Sequence, residues 1–265
     1  LLLVLAALAL ACGQAAAQEA QRIVAVGDLH GDFDAYRAIV KAAGVADDAG
    51  RWTGGHSVLI QMGDVPDRGP RTLMIIENLQ KLEKSAAAAG GKVIVLVGNH
   101  EAMNMTGDLR YTTPAEFAAF RDGNSAALRQ HVFERNVAAI LAAYRKQDPQ
   151  ITEAQARERW FAEYPLGKLE HQLAWGPSGR IGKWVASHPA IAKLGDTLFV
   201  HGGISVETAA HPIDAVNAAV RAALLSGESE GPSLLTDPLG PLWYRGNVAR
   251  DQPGGDATPA GPGRP

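Results

Sequence analysis

Cysteine is nearly missing from this chain, and the single one, Cys12, stands in an alanine-rich leader. Beyond that leader there is no disulfide, no thiol nucleophile and no thiolate metal ligand. Basic runs are missing too, and the net charge is −3. A nucleic-acid partner, which would need a cationic footprint, is therefore not expected. No stable membrane span is expected either, because the one long apolar run is too short to cross a bilayer comfortably. Internal repeats are absent. What is present is 265 residues at 46% hydrophobic content, enough for one large domain or two small ones with a sizeable core.

The leader "LLLVLAALALACGQAAAQEA" carries no charge before Glu19. Its apolar run ends at Ala11, and small residues follow at Ala15 to Ala17. This pattern reads as a signal peptide over 1–17 and predicts export to a bacterial periplasm. Lipid attachment through Cys12 is the lesser alternative, because Ala9 stands where an aliphatic side chain is preferred. The basic start of such a leader and an initiator Met are missing, which predicts a record that begins inside a gene. At the other end, 247–265 has no apolar run, and Pro253 to Pro265 holds four Pro and four Gly. That composition predicts a disordered or aberrant tail.

Between these ends, four short apolar runs have strand character: Ile23–Val26, Val58–Ile60, Val93–Val97 and Leu198–Val200. A helical stripe of Phe33, Tyr36, Ile39 and Val40 separates the first two. Another, of Leu73, Ile76, Leu79 and Leu82, separates the next two. Strand–helix–strand alternation predicts parallel strands in an α/β fold. Residues 114–175 are rich in Ala, Arg, Glu and Gln, which predicts a helical insertion, either packing or a lid over a site.

Each apolar run ends in polar residues. The first runs into "GDLHGD", the second into "GDVPDRG", the third into "GNHE" and the fourth into "HGG". Ligands of α/β sheets bind at the carboxyl ends of strands. Asp28, His30, Asp64, Asn99, His100 and His201 are thus delivered to one edge. Carboxylate, amide and imidazole without thiolate suit Mn, Fe, Zn or Mg. A shared carboxylate can bridge two ions roughly 3.5–4 Å apart.

In this order, "GDLHG", "GDVPDRG" and "GNHE" resemble the calcineurin-like metallophosphoesterases. The "DRG" after the second aspartate points to their phosphoprotein phosphatase branch. "GNHEAMNMTGDLRY" and "GPLWYRG" look most like the Shewanella-like protein phosphatases. The resemblance covers 22–246 as one domain. It implies a layered β-sandwich core with helices outside, and a phosphomonoesterase using two divalent ions (Mn, Fe or Zn) and a bridging hydroxide as nucleophile. It assigns Asp28, His30 and Asp64 to the first ion, and Asp64, Asn99 and His201 to the second. His100 paired with Asp67 becomes the general acid. Arg68 and Arg245 become the phosphate clamp. It implies a phosphoprotein as the substrate; the alternatives are a small-molecule or dinucleoside polyphosphate hydrolase, or a metal-binding remnant without turnover.

Other residues are expected to be structural. Glu101 reads as a supporting carboxylate rather than a base. His56, His131, His171, His188 and His211 read as surface or satisfied core histidines. The resembled family brings a last histidine to the second ion on a further strand, and nothing of that kind follows "GPLWYRG". A truncated core, a reading-frame change after Gly246, or substitution by His188 would each account for this, the last being least expected. Truncation or a frame change predicts weaker binding of the second ion.

Overall fold

A computed structural model describes residues 21–227 and 233–249. The leader at 1–17 and most of the tail lie outside the described residues. Three strands, β1 (Ile23–Val26), β2 (Val58–Gln61) and β3 (Lys92–Val95), form a parallel sheet in the order β1-β2-β3. Ile23 pairs with Val58, and Val58 with Lys92. Helices α1 (Phe33–Ala42) and α2 (Thr72–Ala88) make the crossovers between them. Parallel strands need such connections, and the expected helical stripes supply them.

The period-2 alternation of the strands sorts the core into two layers. Leu59, Val95 and Val97 face one way and pack with Tyr36, Val40, Ile75, Ile76, Leu79 and Leu82 from α1 and α2. Val58, Ile60, Ile94 and Leu96 face the other way. There they meet Ala192, Leu194 and Phe199. These last residues come from a second sheet, the antiparallel hairpin of β4 (Ile191–Leu194) and β5 (Thr197–Val200). The two sheets lie face to face, with helices on the outside of the first.

Two details go beyond the sequence reading. The strand at Ile191–Leu194 was not expected, because its Lys193 interrupts the apolar run. The fourth run, now β5, whose sheet the sequence left open, pairs antiparallel with β4. Between β3 and β4 lie α3 (Asn99–Thr106), α4 (Pro114–Ala118), α5 (Ser125–Arg145), α6 (Glu153–Glu163), α7 (Lys168–Trp175) and α8 (Arg180–Val185). Helical structure therefore runs on past residue 175. A short helix α9 (Val206–Ala209) and the longer α10 (Ile213–Ser226) follow β5.

The seam between this helical segment and the first sheet holds buried polar groups. Glu116 on α4 is fully buried, and neither carboxyl oxygen has a hydrogen-bond partner. Thr72 Oγ1 at the start of α2 and both ring nitrogens of His171 on α7 are buried and unpaired as well. His171 is wedged between Phe117, Phe120 and Trp175. It is thus neither a surface nor a satisfied core histidine, contrary to the sequence expectation. Burial pushes its pKa down to about 4.

Burial, together with the Asp67 charge, pushes Glu116 up to about 8. The native state therefore holds a proton on Glu116 that the unfolded chain releases above about pH 4.5. Stability should fall as pH rises from there toward 8. Glu116→Gln removes this dependence. We expect the variant to gain on the wild type between pH 5 and pH 8 by up to a few kcal/mol, at about 1.4 kcal/mol per pKa unit. Urea melts at both pH values check this; a constant difference would mean that Glu116 is not held neutral.

Candidate metal centre

The turns that leave β1, β2, β3 and β5 meet at one end of the molecule. The first two are joined by backbone bonds. Leu29 and His30 N–H groups both donate to the Asp64 carbonyl at 3.0 Å, and Gly31 N–H donates to Val65 at 2.9 Å. The two turns come close at Gly31, where φ is +68° and a Cβ would stand 2.6 Å from the Gly69 carbonyl. Only glycine fits there.

Strain collects in the same place. Among the described residues, the non-glycine residues with positive φ are His30 (44°), Asp64 (58°), Asp67 (73°) and Arg68 (64°). Each such backbone costs about 1–3 kcal/mol and persists only where the surroundings hold it. Glu101 provides part of that hold. Its carboxylate accepts from the N–H groups of Asp64 (2.9 Å), Val65 (2.8 Å) and Gly98 (2.8 Å), fastening the second turn to the third. Burial and the Asp64 charge push Glu101 up to about 8 against these three donors.

The side chains then face one another as acceptors. His201 Nδ1 lies 2.9 Å from the Met62 carbonyl, which makes that nitrogen the protonated one. The lone pair on Nε2 therefore points at Asn99 Oδ1, 2.8 Å away, and at Asp64 Oδ1, 3.4 Å away. His30 repeats the arrangement. Its Nδ1 donates to the Pro66 carbonyl at 3.0 Å, and its buried Nε2 has no hydrogen-bond partner. That Nε2 faces Asp28 Oδ2 at 3.8 Å and Asp64 Oδ2 at 3.9 Å. Lone pairs that converge without a proton between them repel, and a cation removes the conflict. The donor set passes the test for divalent metal on this ground, and the carbonyls behind both imidazoles orient them as metal ligands are oriented.

Asp64 is common to both halves. Ligand atoms of His30, Asp64 and His100 lie within 4.8 Å of one another, as do those of Asp28, Asp64 and His201. The distances do not divide the residues into the two sets that the resemblance implies. Asp28 stands as near His201 Nδ1 (3.9 Å) as His30, and His100 Nε2 is 3.8 Å from Asp64 Oδ2.

His100 opens α3 and is buried. Its Nδ1 is 2.6 Å from Asp67 Oδ2. Burial works against its charged form, but the Asp67 bond and the charges of Asp64 and Asp67 outweigh it, so its pKa is raised. Arg68 Nη2 comes within 3.3 Å of His100 Nε2, and Arg245 Nη2 within 3.4 Å of His201 Nε2. Both arginines therefore reach the rim of the cluster. Arg68 also borders an open groove of about 640 Å³ lined by His30, Asp32, Pro70 and Arg71. A separate, more apolar pocket between α9 and α10, about 300 Å³, contains none of the cluster residues.

All nine residues singled out in the sequence are together here. His188 is not: it packs against Trp184 with its Nε2 3.4 Å from Glu83, which removes the idea that it completes the centre. Three neighbours escaped the sequence reading. Asn104 Nδ2 donates to Asp67 Oδ2 at 3.1 Å, and Thr112 Oγ1 donates to Asp67 Oδ1 at 2.8 Å. The Tyr111 ring lies 5.1 Å from that of His100. Asn104 was readable as i+4 from His100, on one helix face. Thr112 and Tyr111 lie outside any such periodicity.

The sequence profile of the calcineurin-like phosphoesterase family matches residues 21–248. Shewanella-like protein phosphatase 2 of Arabidopsis thaliana is 35% identical over 209 residues, 77% of this chain and 52% of that protein. An uncharacterized protein of Schizosaccharomyces pombe is 31% identical over 235 residues, 84% of this chain and 57% of its own length. The solved cold-active protein-tyrosine phosphatase of a psychrophilic Shewanella superposes with a TM-score of 0.59 at 27% identity, covering 87% of this chain and 59% of that one. The chain spans a little over half the length of these relatives. Because the profile begins before β1 and runs past Arg245, it takes in both sheets and the whole acceptor cluster, and the chain belongs to the calcineurin-like phosphoesterase family.

Proposed function

We propose that this chain is the catalytic part of a dinuclear-metal phosphomonoesterase that acts on phosphoproteins. The observation that carries this reading is the convergence of carboxylate, amide and imidazole groups on Asp64, with two guanidiniums at its rim. The names of the phosphatase relatives support a phosphoprotein substrate, and so does the open groove beside Arg68.

Asp28, His30 and Asp64 would hold one divalent ion, and Asp64, Asn99 and His201 the other. Mn, Fe or Zn fit this oxygen and imidazole set. When bound, such a pair supplies Lewis-acid stabilisation of phosphoryl charge and activates the attacking water. Arg68 and Arg245 would hold the phosphoryl oxygens, where charge is spread as the bond to the leaving group loosens. His100 would give its Nε2 proton to the leaving oxygen as the ester bond breaks. Asp67, bonded to Nδ1 at 2.6 Å, would stabilise the imidazolium and keep Nε2 aimed outward. The raised pKa of His100 suits an acid that must be protonated before each turnover.

Phosphate release from phosphotyrosine, phosphoserine and dinucleoside polyphosphate substrates with added Mn²⁺ tests the activity. Release from the dinucleotide alone would favour a small-molecule hydrolase; release from none would refute the assignment. Asp64→Asn should lose both ions, because its charge serves two cations. Elemental analysis showing full occupancy would remove the bridging role.

His100→Asn should keep its metal while turnover falls by about 10²–10⁴, the usual worth of general acid catalysis. The loss should be smaller for p-nitrophenyl phosphate, whose leaving group needs no proton, than for an alkyl phosphate. Equal losses on the two substrates would count against the acid role.

A further inference from the structure

Thr112 belongs to no motif, yet it sits against the acid pair. Asp67 is completely buried, and its ion-pair partner is His100. A buried carboxylate needs donors on both oxygens. Oδ2 has two, His100 Nδ1 at 2.6 Å and Asn104 Nδ2 at 3.1 Å. The side-chain donor on Oδ1 is the Thr112 hydroxyl at 2.8 Å. That hydroxyl is also 3.4 Å from Asn104 Oδ1. It has one hydrogen, and the shorter, charged acceptor takes it.

The backbone gives this bond a purpose. Asp67 and Arg68 are consecutive residues at φ 73° and 64°. Such a turn relaxes unless it is held. The Tyr111 carbonyl accepts from Arg68 N–H at 3.0 Å while Thr112 takes the Asp67 side chain. Two adjacent residues thus grip two adjacent residues, one through the backbone and one through a hydroxyl. The gripping segment is anchored in turn, because Thr113 caps α4 by accepting from Glu116 N–H at 3.2 Å.

We propose that Thr112 is a positioning residue for the Asp67–His100 pair. It holds Asp67 Oδ1 so that the carboxylate keeps His100 Nε2 directed at the leaving oxygen. The role rests on the phosphatase reading above. In the step it supports, the proton passes from His100 Nε2 to the leaving oxygen as the phosphorus–oxygen bond breaks, and Asp67 keeps its charge. The bonds of Thr112 Oγ1 go to Asp67 and Asn104, not to a residue assigned to metal or phosphate, so its removal should change proton delivery and leave binding alone.

The test uses the Mn²⁺-loaded chain and two substrates, p-nitrophenyl phosphate and an alkyl phosphate such as a phosphoserine peptide. Thr112→Val keeps the shape and removes the donor; Thr112→Ser restores the donor. For Thr112→Val we expect kcat on the alkyl phosphate to fall about tenfold, as loss of one hydrogen bond to a charged group implies. On p-nitrophenyl phosphate the fall should be under about threefold, with KM and metal content unchanged. Thr112→Ser should recover most of the alkyl rate. In a His100→Asn background, Thr112→Val should cost nothing further, because its effect runs through His100. Equal losses on both substrates, a loss confined to KM, or an undiminished effect without His100 would overturn the role. Should Thr112→Val not fold, Thr112→Ser and Thr112→Ala carry the same comparison, and a serine variant as impaired as alanine would overturn it. A His100→Asn enzyme with no leaving-group dependence would instead refute the acid assignment, and this role with it.

Discussion

The Asp64 carboxylate is the constraint on which the rest of the structure turns. Both of its oxygens face imidazole nitrogens, and a side-chain amide oxygen closes the same space. Asp64 Oδ1 accepts one backbone bond, from His100 N–H at 3.0 Å, and burying a carboxylate among further acceptors is unfavourable unless positive charge joins it. The neighbouring features follow from meeting that demand. Two backbone carbonyls, Met62 and Pro66, fix which nitrogen of each histidine is bare. Glu101 directs its carboxyl group to three backbone donors rather than to chemistry, keeping the second and third turns in register.

The turns carry strain for the same reason. Ordinary strand-to-helix connections have no need for aspartate or histidine at positive φ. Here His30, Asp64, Asp67 and Arg68 all adopt it, because a regular path would carry their side chains away from the common point. The glycines between them let the chains come close enough to hydrogen-bond. Hydrophobic layers on both faces of β2 and β3 supply the rigidity that holds such turns.

Much of this was readable in the residues. Apolar runs of three to five residues ending in Asp, His and Asn gave both the parallel sheet and the edge where the polar groups gather. Features set by long-range contact were not. The strand Ile191–Leu194 carries a lysine, and only its pairing with β5 makes it a strand. His171 looked like any isolated histidine, and its burial comes from three aromatic rings that meet it only in the folded chain. Thr112 contributes through one hydroxyl and one strained turn 45 residues away in sequence. Periodicity reports which face a residue occupies; it is silent about partners brought together by tertiary structure.

The antiparallel hairpin shows how the two layers come to share one centre. His201 stands at the end of β5, in the sheet opposite β2, yet its Nδ1 donates to Met62 just beyond β2, 139 residues earlier. Its Nε2 reaches Asn99, just beyond β3. The histidine therefore spans the seam between the sheets that Val58, Ile60, Ile94 and Leu96 fill with apolar contact. Arg245 approaches the same ring from the segment after α10, and Gly202 N–H donates to Pro241 at 2.9 Å to hold that segment down. A cation at this point would draw on ligands from both sheets at once. Its binding energy would then act on the packing of one sheet against the other, as ligand binding to a native state always adds to stability. Folding and chemistry are in this way served by the same side chains, and the cost of crowding acceptors around Asp64 is offset where the two layers meet.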